Sequence, residues 1–486
     1  MPISELYFAI AIELVAKIKS LEISAVELLD HFLDRVETYN PRLNAIIWMD
    51  VEGARARAKA ADEALAKGKN WGPLHGLPMT IKESFNIAGG PTTWGRPDHK
   101  DNMADSNALY VDRLLGAGAN IFGKTNVPIN LADWQSFNEI YGTTNNPWDL
   151  GMTPGGSSGG SAAALAAGLT GLDAGSDIGA SIRNPAHYCG IFGHKPTYGI
   201  VPSDGQALPG FFNQADIAVV GPLARSAEDL ALSLDIVAGP NQITSTAWQL
   251  NMPAPRKTAL KDFKVAVMLS DPAAEVEQSY QDRLQAVADA LAKAGATVSD
   301  RARPDIDTAR AFEIYILLLR AATSRSAISE QLAYFETVAA DPNTDRDSYL
   351  ARMARGVLLP HREWLTLDNE RAFMRHAWTK FFQEWDILLC PAATSAAWPH
   401  DHAGERHDRM ITVNGKQQRG VDQMFWAGYP NMVFLPSTVS PAGLSPEGLP
   451  LGLQAVAAEG EDKTAIEFCR LVSNGIVGFQ APPGYE

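Results

Sequence analysis

The chain has little cysteine, no excess of positive charge and no long apolar run. Only three cysteines, Cys189, Cys390 and Cys469, occur in 486 residues. An odd set without paired spacing excludes a disulfide framework and fits a reducing, cytoplasmic setting. The net charge of −15 does not draw nucleic acid or anionic lipid. No stretch reaches the roughly 18 apolar residues of a spanning helix. The N-terminus lacks a basic start, an apolar run and a cleavage site. Its apolar stretch, 6–15, is interrupted by Glu13 and followed by Lys17 and Lys19, so it reads as an amphipathic helix. Internal repeats and low-complexity segments are also missing. What remains is an ordinary globular composition, 46% hydrophobic and 20% charged, with ample material for a core.

Residues 1–70 read as helices. Ser24 and Glu27 form a capping-box pattern; Leu29, Phe32, Leu33 and Val36 recur at helical spacing; Asn40-Pro41 is expected to stop that run. An alanine-rich helix follows over 52–67. From 71 to 240, short apolar strands alternate with helices. Residues 77–82 read as a strand that delivers Lys82 near its end, 119–122 as another strand, 161–169 as a small-residue helix and 230–237 as a helix. Residues 241–258 read as a polar connector, 264–269 as a strand and 281–294 as a helix. The stretch 308–382 is mostly helical and more charged, and 386–391 reads as a buried strand. This alternation implies an α/β fold, a mixed sheet covered by helices on both faces.

Two loops stand out. Gly155-Gly156-Ser157-Ser158-Gly159-Gly160-Ser161 and Gly175-Ser176-Asp177-Ile178-Gly179-Ala180-Ser181-Ile182-Arg183 lie close together, downstream of Lys82. They supply hydroxyls, an amine and a run of unobstructed backbone N–H groups. Amide hydrolysis needs a nucleophile, a base and donors for the developing oxyanion. Lysine is a base only when neutral, which near pH 7 requires its pKa of about 10.4 to fall by roughly 3 units, as burial can achieve. A second serine can relay the proton. Spacing alone does not single out the nucleophile, and a glycine-serine loop also suits a phosphate cradle or a linker.

At these residues the chain resembles the amidase signature family, in particular its branch of aryl-acylamidases and fatty-acid-amide-hydrolase-like enzymes. The resemblance rests on the first loop and on Gly175 to Ala186. It extends to Gly76-Leu77-Pro78 before Lys82, Gly123-Lys124-Thr125-Asn126, Gly193-His194-Lys195-Pro196-Thr197, Gly221-Pro222-Leu223-Ala224-Arg225-Ser226 and the segment ending in Gln454. It therefore spans nearly the whole chain and implies one amidase signature domain over 1–486. That domain would divide into N-terminal helices (1–70), a catalytic core (71–240), a helical variable region (260–385) and the C-terminal part of a large twisted mixed sheet (386–486). It implies a Ser-cisSer-Lys triad with Ser181 as nucleophile, Ser157 as bridge and Lys82 as base. Ile178, Gly179, Ala180 and Ser181 match the oxyanion-hole backbone. Ser158, Arg183 and Asp177 match supporting residues, the serine through a hydrogen bond within the site and the arginine as a brace. Leu131, Asp133 and Trp134 match the acyl-binding wall, which suggests a linear acyl or aryl amide, or a carbamate. Ala180 departs from the family's usual glycine and is expected to be tolerated at negative φ.

The expected reaction uses no metal or cofactor. The expected partner is a small-molecule amide, not nucleic acid or membrane, with a homodimer left open. Two alternatives stand beside it: the glutaminase subunit of a tRNA-dependent amidotransferase, which commonly has glutamine at Asn184, and a non-catalytic relative. Three other patterns are set aside. Residues 118–125 fit a P-loop by letter, but their centre reads as strand and Pro128 leaves little room for a helix. His400, Asp401, His402, His407 and Asp408 lack zinc-site spacing and read as a solvated loop bordering the substrate entrance. His187 and Cys189, two apart, would share a face of a strand as base and thiol, but Cys189 looks like core.

Overall fold

The computed structural model describes residues 6–485. Its largest sheet has eight strands, in spatial order Thr297–Ser299, Lys264–Val267, Ile387–Pro391, Pro450–Val456, Ser437–Leu444, Phe192–Lys195, Val219–Ala224 and Asp173–Asp177. The first three run parallel to one another; every later pairing is antiparallel. The sheet is therefore mixed, and the fold is α/β as the alternation indicates.

Lys82 does not lie in that sheet. It ends the buried strand Pro78–Lys82, which pairs parallel with Asn120–Thr125; that strand pairs antiparallel with Ile46–Met49. This three-stranded sheet abuts the Asp173–Asp177 edge of the large one. Thr80 ties the seam: its N–H donates to Thr170 Oγ1 at 2.9 Å and its hydroxyl to Asp173 Oδ2 at 2.6 Å. Sheet membership depends on pairing between distant segments, which local apolar patterning does not encode.

Most expected helices form close to where the periodicity places them. Ser24 and Glu27 close the capping box, and Ser226 caps Ala227–Val237 through the Asp229 N–H. The first helix, Ala11–Lys19, begins later than its apolar stretch. Asn40-Pro41 does not stop the next: the helix Ala25–Leu43 continues through Pro41 for two more residues. Proline forfeits only one hydrogen bond there, and burial of Leu43 holds the last turn. Residues 308–382 fold into four α-helices, Thr308–Thr323, Ser329–Ala340, Tyr349–Val357 and His361–Glu384, the first of which brings Tyr315 Oη to Ile178 O.

Candidate active site

The two glycine loops are pressed together. The first carries a cis Gly156–Ser157 peptide and leads into the buried helix Gly159–Ala166. Close approach demands its glycines: a Cβ at Gly156 would lie 2.3 Å from Asp133 O, and one at Gly160 would lie 2.3 Å from Asn126 N. The second loop leaves the edge strand Asp173–Asp177 and enters the short helix Arg183–Cys189. Ser158 N–H donates to Ser181 O at 3.1 Å, which joins the loops.

Lys82 Nζ stands 2.7 Å from Ser157 Oγ and 2.9 Å from Ser176 Oγ. Its side chain is fully buried, and burial lowers its pKa from 10.5 to about 7; the charges of Asp177, Asp173 and Glu83 oppose this only in part. Burial also pushes the Asp173 carboxyl up to about 7, against hydrogen bonds from Thr80 and Ser161. Ser157 and Ser181 are both buried, at 1% and 6% exposure. Among the described residues no hydrogen bond joins the two serine hydroxyls. Such contacts often tighten only when substrate binds.

The backbone of 178–181 is held by all four of its carbonyls. Ile178 O accepts from Asn431 Nδ2 at 2.8 Å and from Tyr315 Oη at 3.2 Å, and Gly179 O from Trp134 Nε1 at 2.8 Å. Ala180 O accepts from Asn184 N at 2.7 Å, and Ser181 O from Ser158 N. The N–H groups of Ile178, Gly179 and Ser181 make no hydrogen bond among the described residues, so they form a nest of free donors. Ala180 N–H is different: it donates to Asp177 Oδ1 at 2.9 Å. Ala180 also corrects the expectation of negative φ, because its φ is +79°. The Asp177 bond and the Asn184 bond fix that peptide on both sides and hold alanine in the left-handed region, at a cost on the order of 1 kcal/mol.

Asp177 and Arg183 form a buried bidentate pair, Nη2–Oδ1 at 2.9 Å and Nε–Oδ2 at 3.0 Å. Against the burial penalty, the Arg183 charge holds the Asp177 carboxylate below its usual range. Arg183 Nη1 also donates to Gln454 Oε1 at 2.8 Å and Ala427 O at 2.9 Å. Ser158 differs from its expected role. Its hydroxyl has no hydrogen-bond partner among the described residues, so its link to the site is through the main chain. Trp134 is nearly buried and braces Gly179 through its indole N–H, while Leu131 is half-buried at φ +56°. Asp133 adds no free charge, because Arg409 Nη1 pairs with it at 2.5 Å. Ser176 and Gln454 lie within the motifs quoted above, without a role legible from sequence; Tyr315 and Asn431 carry no local signal.

Lys124 lies on strand Asn120–Thr125, buried, with its amine on Pro91 O and Thr92 Oγ1, so no P-loop forms. His187 and Cys189 lie on a helix, not a strand. His187 Nδ1 accepts from Gly452 N and its Nε2 donates to Ser395 O, while burial raises the Cys189 thiol pKa. The segment around His400 is docked rather than freely solvated. Gln135 pairs with the Asp401 backbone, and His402 stacks on Phe137 at 3.8 Å. Among the described residues no group of three or more His, Cys, Asp or Glu side chains could hold a metal. No helix there is long and apolar enough to cross a membrane.

The sequence model of the Amidase family matches residues 27–466. The chain belongs to the Amidase family. As an amidase it is a hydrolase acting on amide bonds. It is 32% identical to an acylamidase of Rhodococcus erythropolis, over 95% of each chain. It is 33% identical to a subunit of the glutamyl-tRNA(Gln) amidotransferase of Coxiella burnetii, over 91% of this chain and 92% of that one. A bacterial aryl acylamidase of the amidase signature family has the same fold, with a TM-score of 0.81 at 22% identity, over 97% of this chain and 96% of that one.

Proposed function

We propose that this amidase is a serine amidohydrolase that cleaves a linear acyl or aryl amide through an acyl-enzyme. Neutral Lys82 takes a proton from Ser157 as Ser157 takes one from Ser181. Ser181 Oγ attacks the carbonyl carbon, and the oxyanion is met by the N–H groups of Ile178, Gly179 and Ser181. The relay returns a proton to the leaving amine, and water then cleaves the ester. The observation that carries this reading is the fully buried Lys82 amine 2.7 Å from Ser157 Oγ, beside three unpaired N–H donors. It narrows the expected oxyanion hole, because Ala180 N–H is already committed to Asp177.

A fluorophosphonate probe tests it. Wild type should be labelled on Ser181, and Ser181→Ala should not be labelled at all. Labelling that persists in the variant would assign the nucleophile elsewhere.

The similarity to an amidotransferase subunit favours a second reading, glutamine hydrolysis within a larger assembly. Asn184 stands where the resemblance to such subunits implies glutamine, and its Oδ1 accepts from Gly156 N at 3.1 Å. Glutaminase activity of the purified chain, alone and with partner subunits, separates the two readings.

A further inference from the structure

The amine of Lys82 has a neighbour that the proposed relay does not use. Ser176, half-buried on the edge strand Asp173–Asp177, accepts from Lys82 Nζ at 2.9 Å. The same oxygen accepts from a second donor, Gln206 Nε2, at 3.3 Å. That amide group also donates to the buried Ser84 Oγ at 3.0 Å. Gln206 lies outside every motif quoted above, between Gly193–Thr197 and Gly221–Ser226. Its turn is pinned by main chain: Asn86 N–H donates to Gly205 O and Leu109 N–H to Asp204 O, both at 3.0 Å. Gly205, at φ +79°, sits so close to Ala108 that a Cβ would lie 2.6 Å from its Cα.

Protonation gives Lys82 a charge and a third N–H. A hydrogen bond to the charged form favours that form, so Ser176 as an acceptor favours the ammonium. Gln206 works against this in two ways. It occupies one of the two lone pairs of the Ser176 hydroxyl, and its amide dipole turns a positive end toward the amine. The charged groups around Lys82 act the other way, since Asp177, Asp173 and Glu83 all favour the ammonium. Asp177 is paired with Arg183, and Glu83 accepts from the Thr93 and Trp94 N–H groups. On the neighbouring strand Lys124 turns its amine to Pro91 O, and the helix Gly159–Ala166 carries no charged side chain.

We propose that Gln206 is a positioning residue of this amidase, which through Ser176 holds Lys82 in its uncharged, proton-accepting form. This deepens the amidase reading and rests on it for Lys82 as base. The pH dependence of fluorophosphonate labelling at Ser181 tests it. Gln206→Met keeps the length of the side chain and loses the donor. It should move the acid limb alkaline by roughly half a pH unit, about a threefold loss of labelling rate near pH 6. Gln206→Glu accepts where glutamine donates, and should move the limb by about one unit or more, about tenfold near pH 6. In a Ser176→Ala background, Gln206→Met should leave the limb in place. A limb unmoved in both Gln206 variants, a rate that falls evenly at every pH, or the same shift without Ser176 would overturn the role. The carbon-13 signal of Lys82 Cε, assigned by its loss in Lys82→Met, follows the same titration without any labelling. Its midpoint should rise in Gln206→Met, and an unchanged midpoint overturns the role. Wild type that is not labelled on Ser181 removes the amidase reading, and the carbon signal then decides for or against Gln206 by itself.

Discussion

The two flanks of Ser181 are held by different means. On the proposed chemical flank, charge is matched and backbone is pinned: Asp177 meets Arg183, and every carbonyl from Ile178 to Ser181 has a donor. Farther out, charge is not matched in this way: Arg320 donates to the Tyr349 hydroxyl and Arg406 to Ala132 O, and neither has an ion pair among the described residues. The Asp177–Arg183 clamp is local to one loop, whereas the donors to Ile178 O, Tyr315 and Asn431, come from more than a hundred residues downstream. Substitutions in the local clamp and in its distant braces should therefore differ in how far they disturb the strip.

The sharpest way to break that contrast is Lys82→Met. It should lower kcat/KM by roughly 10³-fold or more, as loss of a member of a catalytic unit does. It should also stabilise the protein at pH 7, since an amine is no longer buried. Lys82 has a pKa of about 7 folded and 10.5 in the reference state. The unfolded chain therefore binds more protons between those values, and wild-type stability climbs with pH across that window. The variant lacks that increment, so its advantage in urea unfolding should shrink from pH 7 toward pH 10. Near-wild-type turnover would remove Lys82 from the mechanism.

Next comes Asp177→Asn. It leaves Arg183 buried without its partner, which typically costs about 3–5 kcal/mol, and it loosens the Ala180 peptide. A thermal melt should show the loss, together with a fall in kcat; an unchanged melt contradicts the bracing role. A milder probe is pH alone. With Lys82 as base, kcat/KM should rise about tenfold per unit at low pH and level off above about 7. A flat profile from acid to alkaline pH would speak against it. Smallest is Ala180→Gly, which relieves a left-handed alanine and should raise stability by up to about 1 kcal/mol, with kcat little changed. A clear drop in melting temperature would mean that the methyl group packs better than the backbone suffers.

The loops were legible because glycine and serine spacing encodes close backbone approach, and the structure sets Lys82 Nζ on Ser157 Oγ and Ser158 N–H on Ser181 O. The α/β alternation and most helices were legible from periodicity and caps such as Ser24. Other features were not. The φ of Ala180 is set by Asp177 and Asn184 in three dimensions, not by its own preference. Asp133 looked like a wall residue until Arg409, 276 residues away, neutralised it. Tyr315 and Asn431, the donors to Ile178 O, gave no signal, since only the fold brings them there.

The proposed base and nucleophile stand on opposite banks of a seam, Lys82 at the end of one small sheet and Ser181 beyond the margin of another. Nothing covalent sets their separation; the Thr80–Asp173 stitch and its neighbours do. Slight slippage there would open the proton path while both sheets stayed folded. Catalysis should thus fade at milder urea than the far-ultraviolet circular dichroism does.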